Sequence, residues 1–172
     1  INQIEIGSAF IKSKWNPNKD ALGIKANLGE KSEEVLQLTG DIFPLRKQNS
    51  LDLTLTMKQF PIKLLERYID EYLSEIKGEV NGEVEVVGEL DRPVLSGRIN
   101  LNNSFFKVNN LNTLYSVDDE IIIEPDFIGF NLIKIVDSRG KFAIGTGTIF
   151  HDNYSNFNLD FGLDFNDFLT LN

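Results

Sequence analysis

The 172-residue sequence has no cysteine, one histidine, one tryptophan, one methionine and no apolar run long enough to cross a bilayer as a helix. The missing thiols exclude disulfides, zinc–thiolate centres, iron–sulfur clusters and cysteine nucleophiles together. A lone His151 leaves little imidazole for a metal centre or a general base, so no metal and no cofactor is expected, and the chain does not read as an enzyme. Basic residues are scarce as well. Seventeen Lys plus Arg stand against 26 Asp plus Glu, a formal charge of −9, and no basic patch is segregated to hold a phosphate backbone. Nucleic acid is therefore not an expected partner. The sequence opens on Ile1-Asn2-Gln3, with neither an initiator Met nor a leader pattern, and reads as one domain over 1–172 taken from a larger chain whose anchor lies elsewhere.

What the sequence does have is a period of two. Leu51, Leu53, Leu55 and Met57 alternate with Asp52, Thr54 and Thr56, and Phe157, Leu159, Phe161, Leu163 and Phe165 alternate with Asn158, Asp160, Gly162 and Asp164. Weaker alternation runs through Ile4 to Lys12, Leu22 to Leu28, Val35 to Phe43, Ile99 to Leu101, Ile121 to Ile123 and Ile133 to Ile135. Ten or eleven strands follow. They are joined by turns such as Asn16-Pro17-Asn18, Asp91-Arg92-Pro93 and Asp137-Ser138-Arg139-Gly140, too short for parallel crossovers, so the expected fold is an all-β antiparallel meander. One segment departs from it. Leu65, Ile69 and Leu73 recur every four residues behind Pro61, which predicts a short amphipathic helix over 61–75.

The stretch 77–102 is the most telling. Gly78, Val80, Gly82, Val84, Val86, Gly88 and Leu90 fall on one face, while Glu79, Asn81, Glu83, Glu85, Val87 and Glu89 fall on the other. Glycines on the apolar side remove side chains where a curving sheet would crowd its concave face. Arg98 is placed to meet Glu85 across the hairpin. Sites of chemistry are missing. His151 reads as a turn or surface residue, Gly145-Thr146-Gly147 lacks the third glycine and the helix of a phosphate loop, and Asp118, Asp119, Glu120, Glu124 and Asp126 follow no calcium-loop spacing and read as a solvated acidic rim.

From the helix onward the chain resembles the C-terminal region of TamB, the translocation and assembly module family within the AsmA-like, bridge-like lipid transfer group. The resemblance rests on an ordered series: Phe60-Pro61-Ile62-Lys63-Leu64-Leu65-Glu66-Arg67-Tyr68, then Gly78-Glu79-Val80-Asn81-Gly82 and Gly88-Glu89-Leu90, Pro93 and Gly97, then Asp137-Ser138-Arg139-Gly140, Gly147-Thr148-Ile149-Phe150-His151 and the stretch from Phe165 to Asn172. It covers about residues 60–172, and the first fifty only in character. The resemblance implies a periplasmic protein of the cell envelope, anchored in the inner membrane by a segment outside this sequence. Its sheet would curl into an open, taco-like groove that carries phospholipid or another acyl-chain ligand toward the outer membrane. Alternatively it would be an assembly scaffold that binds outer-membrane protein β-strands with a BamA-related partner.

The residues lead to the same choice independently. About ten strands in one sheet either curl into a trough or split into two packed layers. If they curl, the hydrophobic groove is lined by Leu51, Leu53, Leu55, Val80, Val84, Val86, Ile99, Leu101, Ile121, Ile123, Ile133, Ile135, Phe157, Leu159, Phe161, Leu163 and Phe165. If they split, those side chains interlock in a sandwich and no groove exists.

Overall fold

The computed structural model describes residues 7–30, 33–165 and 167–170. Within them the chain forms eleven strands: β1 (Ser8–Asn16), β2 (Ala21–Glu30), β3 (Glu33–Ile42), β4 (Leu51–Pro61), β5 (Leu73–Gly88), β6 (Pro93–Val108), β7 (Thr113–Val117), β8 (Glu120–Glu124), β9 (Phe127–Asp137), β10 (Phe142–Asp152) and β11 (Ser155–Phe165). All belong to one antiparallel sheet in chain order, and the described strands form no second layer. The short strands β7 and β8 share one position. Both pair with β6 on one side and β9 on the other, so they are a single strand interrupted at Asp118 and Asp119. Ile4 and Ile6 of the first expected strand lie outside the described residues.

That interruption belongs to a line of defects crossing the sheet. The β4–β5 register shifts between Met57 and Phe60, where Gln59 has φ 49°. In the β5–β6 ladder it shifts around Lys77, with Glu75 at φ 52° and Asn103 at φ 47°. Between β9 and β10 the partners jump from Gly145↔Ile133 to Gly147↔Phe130, and Leu132 has φ 56°. An extra residue in one strand bends it and increases its local twist. Aligned from β4 to β9, these extra residues make a crease. Polar groups along it take over the interrupted ladder: Gln59 N donates to Asn81 Oδ1, Asn81 Nδ2 donates to Asn102 Oδ1, and Lys134 N donates to Asp119 Oδ2.

The curvature shows in the surface area. A compact chain of this mass would keep roughly 8,500 Å², whereas this one exposes 11470 Å². Even so, the mid-sheet residues Val80 and Val84 are only 2% exposed. A single layer covers residues on its own face only by bending over them. Gly97 shows how tightly: at φ +157° its added Cβ would stand 2.2 Å from the Glu83 carbonyl oxygen on the neighbouring strand.

The helix is shorter than the four-residue spacing predicts. A 3₁₀ turn at Ile62–Leu65 runs into a single α turn, α1 (Glu66–Ile69), and by Leu73 the chain is already in β5, opposite Val108. Eight residues of helix have little stability of their own, while extending β5 gains ladder hydrogen bonds and buries Ile76. Asn109 completes the exchange. Its Nδ2 donates to the carbonyls of Asp70 and Glu71, and its N–H donates to that of Tyr72. Arg98 also differs from expectation. It stands opposite Glu83, and its Nη1 donates to Glu120 Oε1 at 2.7 Å, because β8 supplies a carboxylate from the other side.

The crease generates a stability contrast. Gly97→Ala should cost about 2 kcal/mol or more, since backbone must move. Gly147→Ala should cost less, because the atoms nearest its Cβ belong to the rings of Phe161 and Phe130 and not to backbone, and the Phe161 side chain is half exposed. Urea midpoints of the two variants measure the difference.

Candidate functional site

Pairing register decides which side chains share a face. One rung runs Ile11, Ala26, Leu38, Leu55, Val84, Gly97, Ile123, Ile128, Ile149, Leu159, crossing ten strands without a polar residue. At about 4.8 Å per strand, this stripe is about 43 Å long. Neighbouring rungs repeat it, with Leu53 opposite Val86, Val80 opposite Leu101, Ile99 opposite Ile121, and Ile133 opposite Gly145 and then Leu163. The same registers put sixteen of the seventeen residues expected to line a groove on this face, and Phe157 stands at the β10–β11 irregularity, where the partners jump from Phe150↔Asn158 to Asp152↔Ser155. Thr54, Glu85, Glu83, Arg98, Asp160 and Asp164 project from the other.

The face is not uniformly open. Leu51, Leu53, Val80, Val84 and Ile133 are buried, so they form its floor and are not available to a guest. Leu55, Val86, Ile99, Leu101, Ile121, Ile123 and Ile135 are half-buried. On β11, by contrast, Phe157, Leu159, Phe161, Leu163 and Phe165 remain 49–60% exposed. Burying a Leu or Phe fully is worth about 1.5–3 kcal/mol, so this strand alone leaves roughly 5 kcal/mol unrealised. That is comparable to the whole stability of a small domain. Both β11 and β1 are also edge strands, with one row of backbone donors and acceptors unpaired by the sheet.

Polar groups close the two ends of this face. At one end Asp137 accepts N–H bonds from Arg139, Lys141 and Leu169 at 2.8, 2.9 and 2.7 Å, with the Arg139 guanidinium beside it. Burial pushes its pKa up, but the three N–H donors and Arg139 together outweigh burial and hold it below the ordinary carboxyl value. Tyr115, directly opposite in the ladder, has its pKa raised chiefly by burial. At the other end stands His151, which the sequence places on the surface. The structure buries it to 7% exposure, its ring 4.6 Å from that of Tyr154. Tyr154 N donates to Nδ1, and among the described residues Nε2 has no partner. The cause is the tight Asn153-Tyr154 reversal, both residues at positive φ, which folds the tyrosine back onto the histidine. The Tyr154 hydroxyl then accepts from Leu95 N, and Arg92 pairs with Asp152 at 3.6 Å, tying the β10–β11 turn to β6.

Sequence reasoning missed part of the lining. Phe60, Phe106 and Phe130 also face inward, but the bulges shift the inward positions from odd to even numbers, or back, at the crease. Ile76 and Tyr115 face inward too and keep the parity of Val80 and of Ile121. Ile24, Leu38, Leu95 and Ile149 lie in regular strands, and their alternation could have identified them. No group of His, Asp and Glu among the described residues is arranged to hold a metal ion. No described helix is long and apolar enough to cross a membrane, which says nothing of strands.

Two outcomes follow. Leu163→Asp, on the half-exposed strand, should leave the fold intact because water reaches the carboxylate, whereas Val84→Asp should unfold the chain by stranding a buried charge; circular dichroism melts separate the two. Asp137 should also give an acid limb. With its folded pKa lowered, its contribution is complete above the unfolded carboxyl pKa of about 3.9 and is lost as the pH falls through the folded value. Melts between about pH 6 and about pH 3 should therefore lose this limb in Asp137→Asn.

A family model described as the TamB C-terminal domain matches residues 23–129, well over half of the chain. The match starts earlier than the motif series quoted above and stops at the start of β9. It takes in β3, β4 and the creased hairpin but not the β10–β11 pair. No curated protein and no solved structure matches the chain significantly. A sheet of this construction, with the family match spanning its centre, places the chain in the TamB C-terminal domain family, part of the translocation and assembly module of the cell envelope.

Proposed function

We propose that this domain is a non-catalytic trough for acyl chains, a segment of a periplasm-spanning protein, anchored in the inner membrane elsewhere in its chain, that carries phospholipid toward the outer membrane and supports outer-membrane biogenesis. The observation that carries the reading is the unbroken apolar rung from Ile11 to Leu159 on a sheet with one layer, ending in a strand whose inward side chains are half exposed. A hydrocarbon chain laid over the exposed and half-buried side chains of this face, beyond the buried floor at Val84, gains about 0.8 kcal/mol for each methylene it buries, without directional bonds. Successive rungs offer nearly the same contact, so the guest can slide with small barriers. The acidic outer face keeps the convex side in water and selects no headgroup.

A second reading is favoured by a different observation, the free edge of β11. A client strand could add there, as in an assembly scaffold for outer-membrane protein strands working with a BamA-related partner. The readings place the guest differently, one on the face and one along the edge. A benzoylphenylalanine at Phe161 or Leu163, in cells making the parent protein, should capture phospholipid if the trough carries lipid. Capture of polypeptide alone would replace the first reading with the second.

A further inference from the structure

The segment 167–170 folds back from β11 across the inner face. Phe168 stacks on Tyr115 of β7 at 5.4 Å between ring centroids and lies 5.9 Å from Phe165 of β11, so it bridges over the two intervening strands. Those strands contribute Asp137 and Ala143 beneath it, and both are buried, Ala143 completely. Polar contacts hold the segment at Asp167 and Leu169. Leu169 N donates to Asp137 Oδ2, the Tyr115 hydroxyl donates to Leu169 O at 3.0 Å, Arg139 Nη2 donates to Asp167 O at 2.9 Å, and Lys141 pairs with the Asp167 carboxylate at 3.4 Å.

We propose that the groove contains an apolar subsite between Tyr115 and Phe165, that Phe168 occupies it as an internal ligand, and that an incoming guest reaches this end of the groove by displacing the segment 167–170. This deepens the trough reading and rests on it for the identity of the guest. The contacts have the character of a reversible occupant. One aromatic side chain provides the apolar contact, and the rest is a handful of hydrogen bonds to groups at strand ends, two of which, Arg139 and Lys141, are about half exposed. Hydrogen bonds of this kind contribute modestly each because water replaces them on release. Acyl chains or aromatic rings fit the vacated slot, whose walls are the Tyr115 and Phe165 rings and whose floor is Ala143. An anionic headgroup does not belong in it, because it would face the Asp137 carboxylate after that group has lost the Leu169 N–H donor.

The test uses two probes. Anilinonaphthalene sulfonate reports any opened apolar surface, and cis-parinaric acid reports acyl-chain binding. Phe168→Ala should raise anilinonaphthalene sulfonate fluorescence several-fold with an unchanged circular dichroism spectrum. Phe168→Leu should raise it little, because the slot stays filled. Phe142→Ala, on the outer face, should leave it at the wild-type level. If Phe168→Ala does not fold, Asp137→Asn, which loosens the segment and keeps the ring, is read in the same way. A folded Phe168→Ala or Asp137→Asn protein that binds anilinonaphthalene sulfonate no better than wild type overturns the subsite. A rise with both probes supports the subsite and the acyl reading together. A rise with anilinonaphthalene sulfonate alone supports the subsite and counts against acyl chains as its guest.

Discussion

The constraint on which the structure depends is that one sheet, with no second layer among the described residues, has to manage an apolar face spanning ten strands. Flat, that face would meet water along its whole length. Bending brings its middle under cover, and the bend is built into the backbone at Gln59, Glu75, Asn103, Asp118–Asp119 and Leu132, where successive strands each carry an extra or left-handed residue. Two consequences follow from the same geometry. Val80, Val84 and Leu53 become core residues that hold the shape, and the inward side chains of β11, at the edge, are left half in water. The floor and the open lining are made from the same alternation and differ in how much of each side chain the bend covers.

The glycines at close approach fit this account. Gly97 lets β5 and β6 pass at a distance no side chain would permit. Gly147 lies under the Phe130–Phe161 pair, whose rings stack at 5.8 Å across the strand that carries it. In the first case the missing side chain serves backbone curvature, in the second the packing of large neighbours. Ion pairs add little to either. Arg98–Glu120, Lys141–Asp167 and Arg92–Asp152 are exposed, and such pairs contribute at most about 1 kcal/mol each. Asp137 is different because its carboxylate is buried and satisfied by backbone donors, so it organises a turn and the segment 167–170 together.

Much of this was legible in the sequence. Alternation in Leu51–Met57 and Phe157–Phe165 set the strands, and the shortness of the turns set an antiparallel meander. The groove residues named from that alternation, Phe157 apart, share a face because they were drawn from stretches without a bulge. The misses that alternation could not have avoided have three physical origins. Alternation cannot announce where an extra residue will shift the count, so Phe130 and Ile133, three apart, both face inward and only one was named. The four-residue spacing of Leu65, Ile69 and Leu73 was real, but Leu73 serves β5, where ladder bonding outweighs a marginal helix. His151 and Phe168 are set by tertiary contacts with residues far along the chain or across a tight turn, and local pattern carries no trace of them.

The central claim, an apolar face left open at its edge, can be measured directly because the natural chain has no thiol to interfere. Single cysteines at 157 to 165, one per protein, would be reacted with a maleimide and the rate followed against position. The account predicts that inward positions 159, 161 and 163 react about as fast as outward positions 158, 160 and 164, and that they alone slow when phospholipid is added. Inward positions already protected a hundredfold without lipid would mean that the face is covered by protein, and would contradict it.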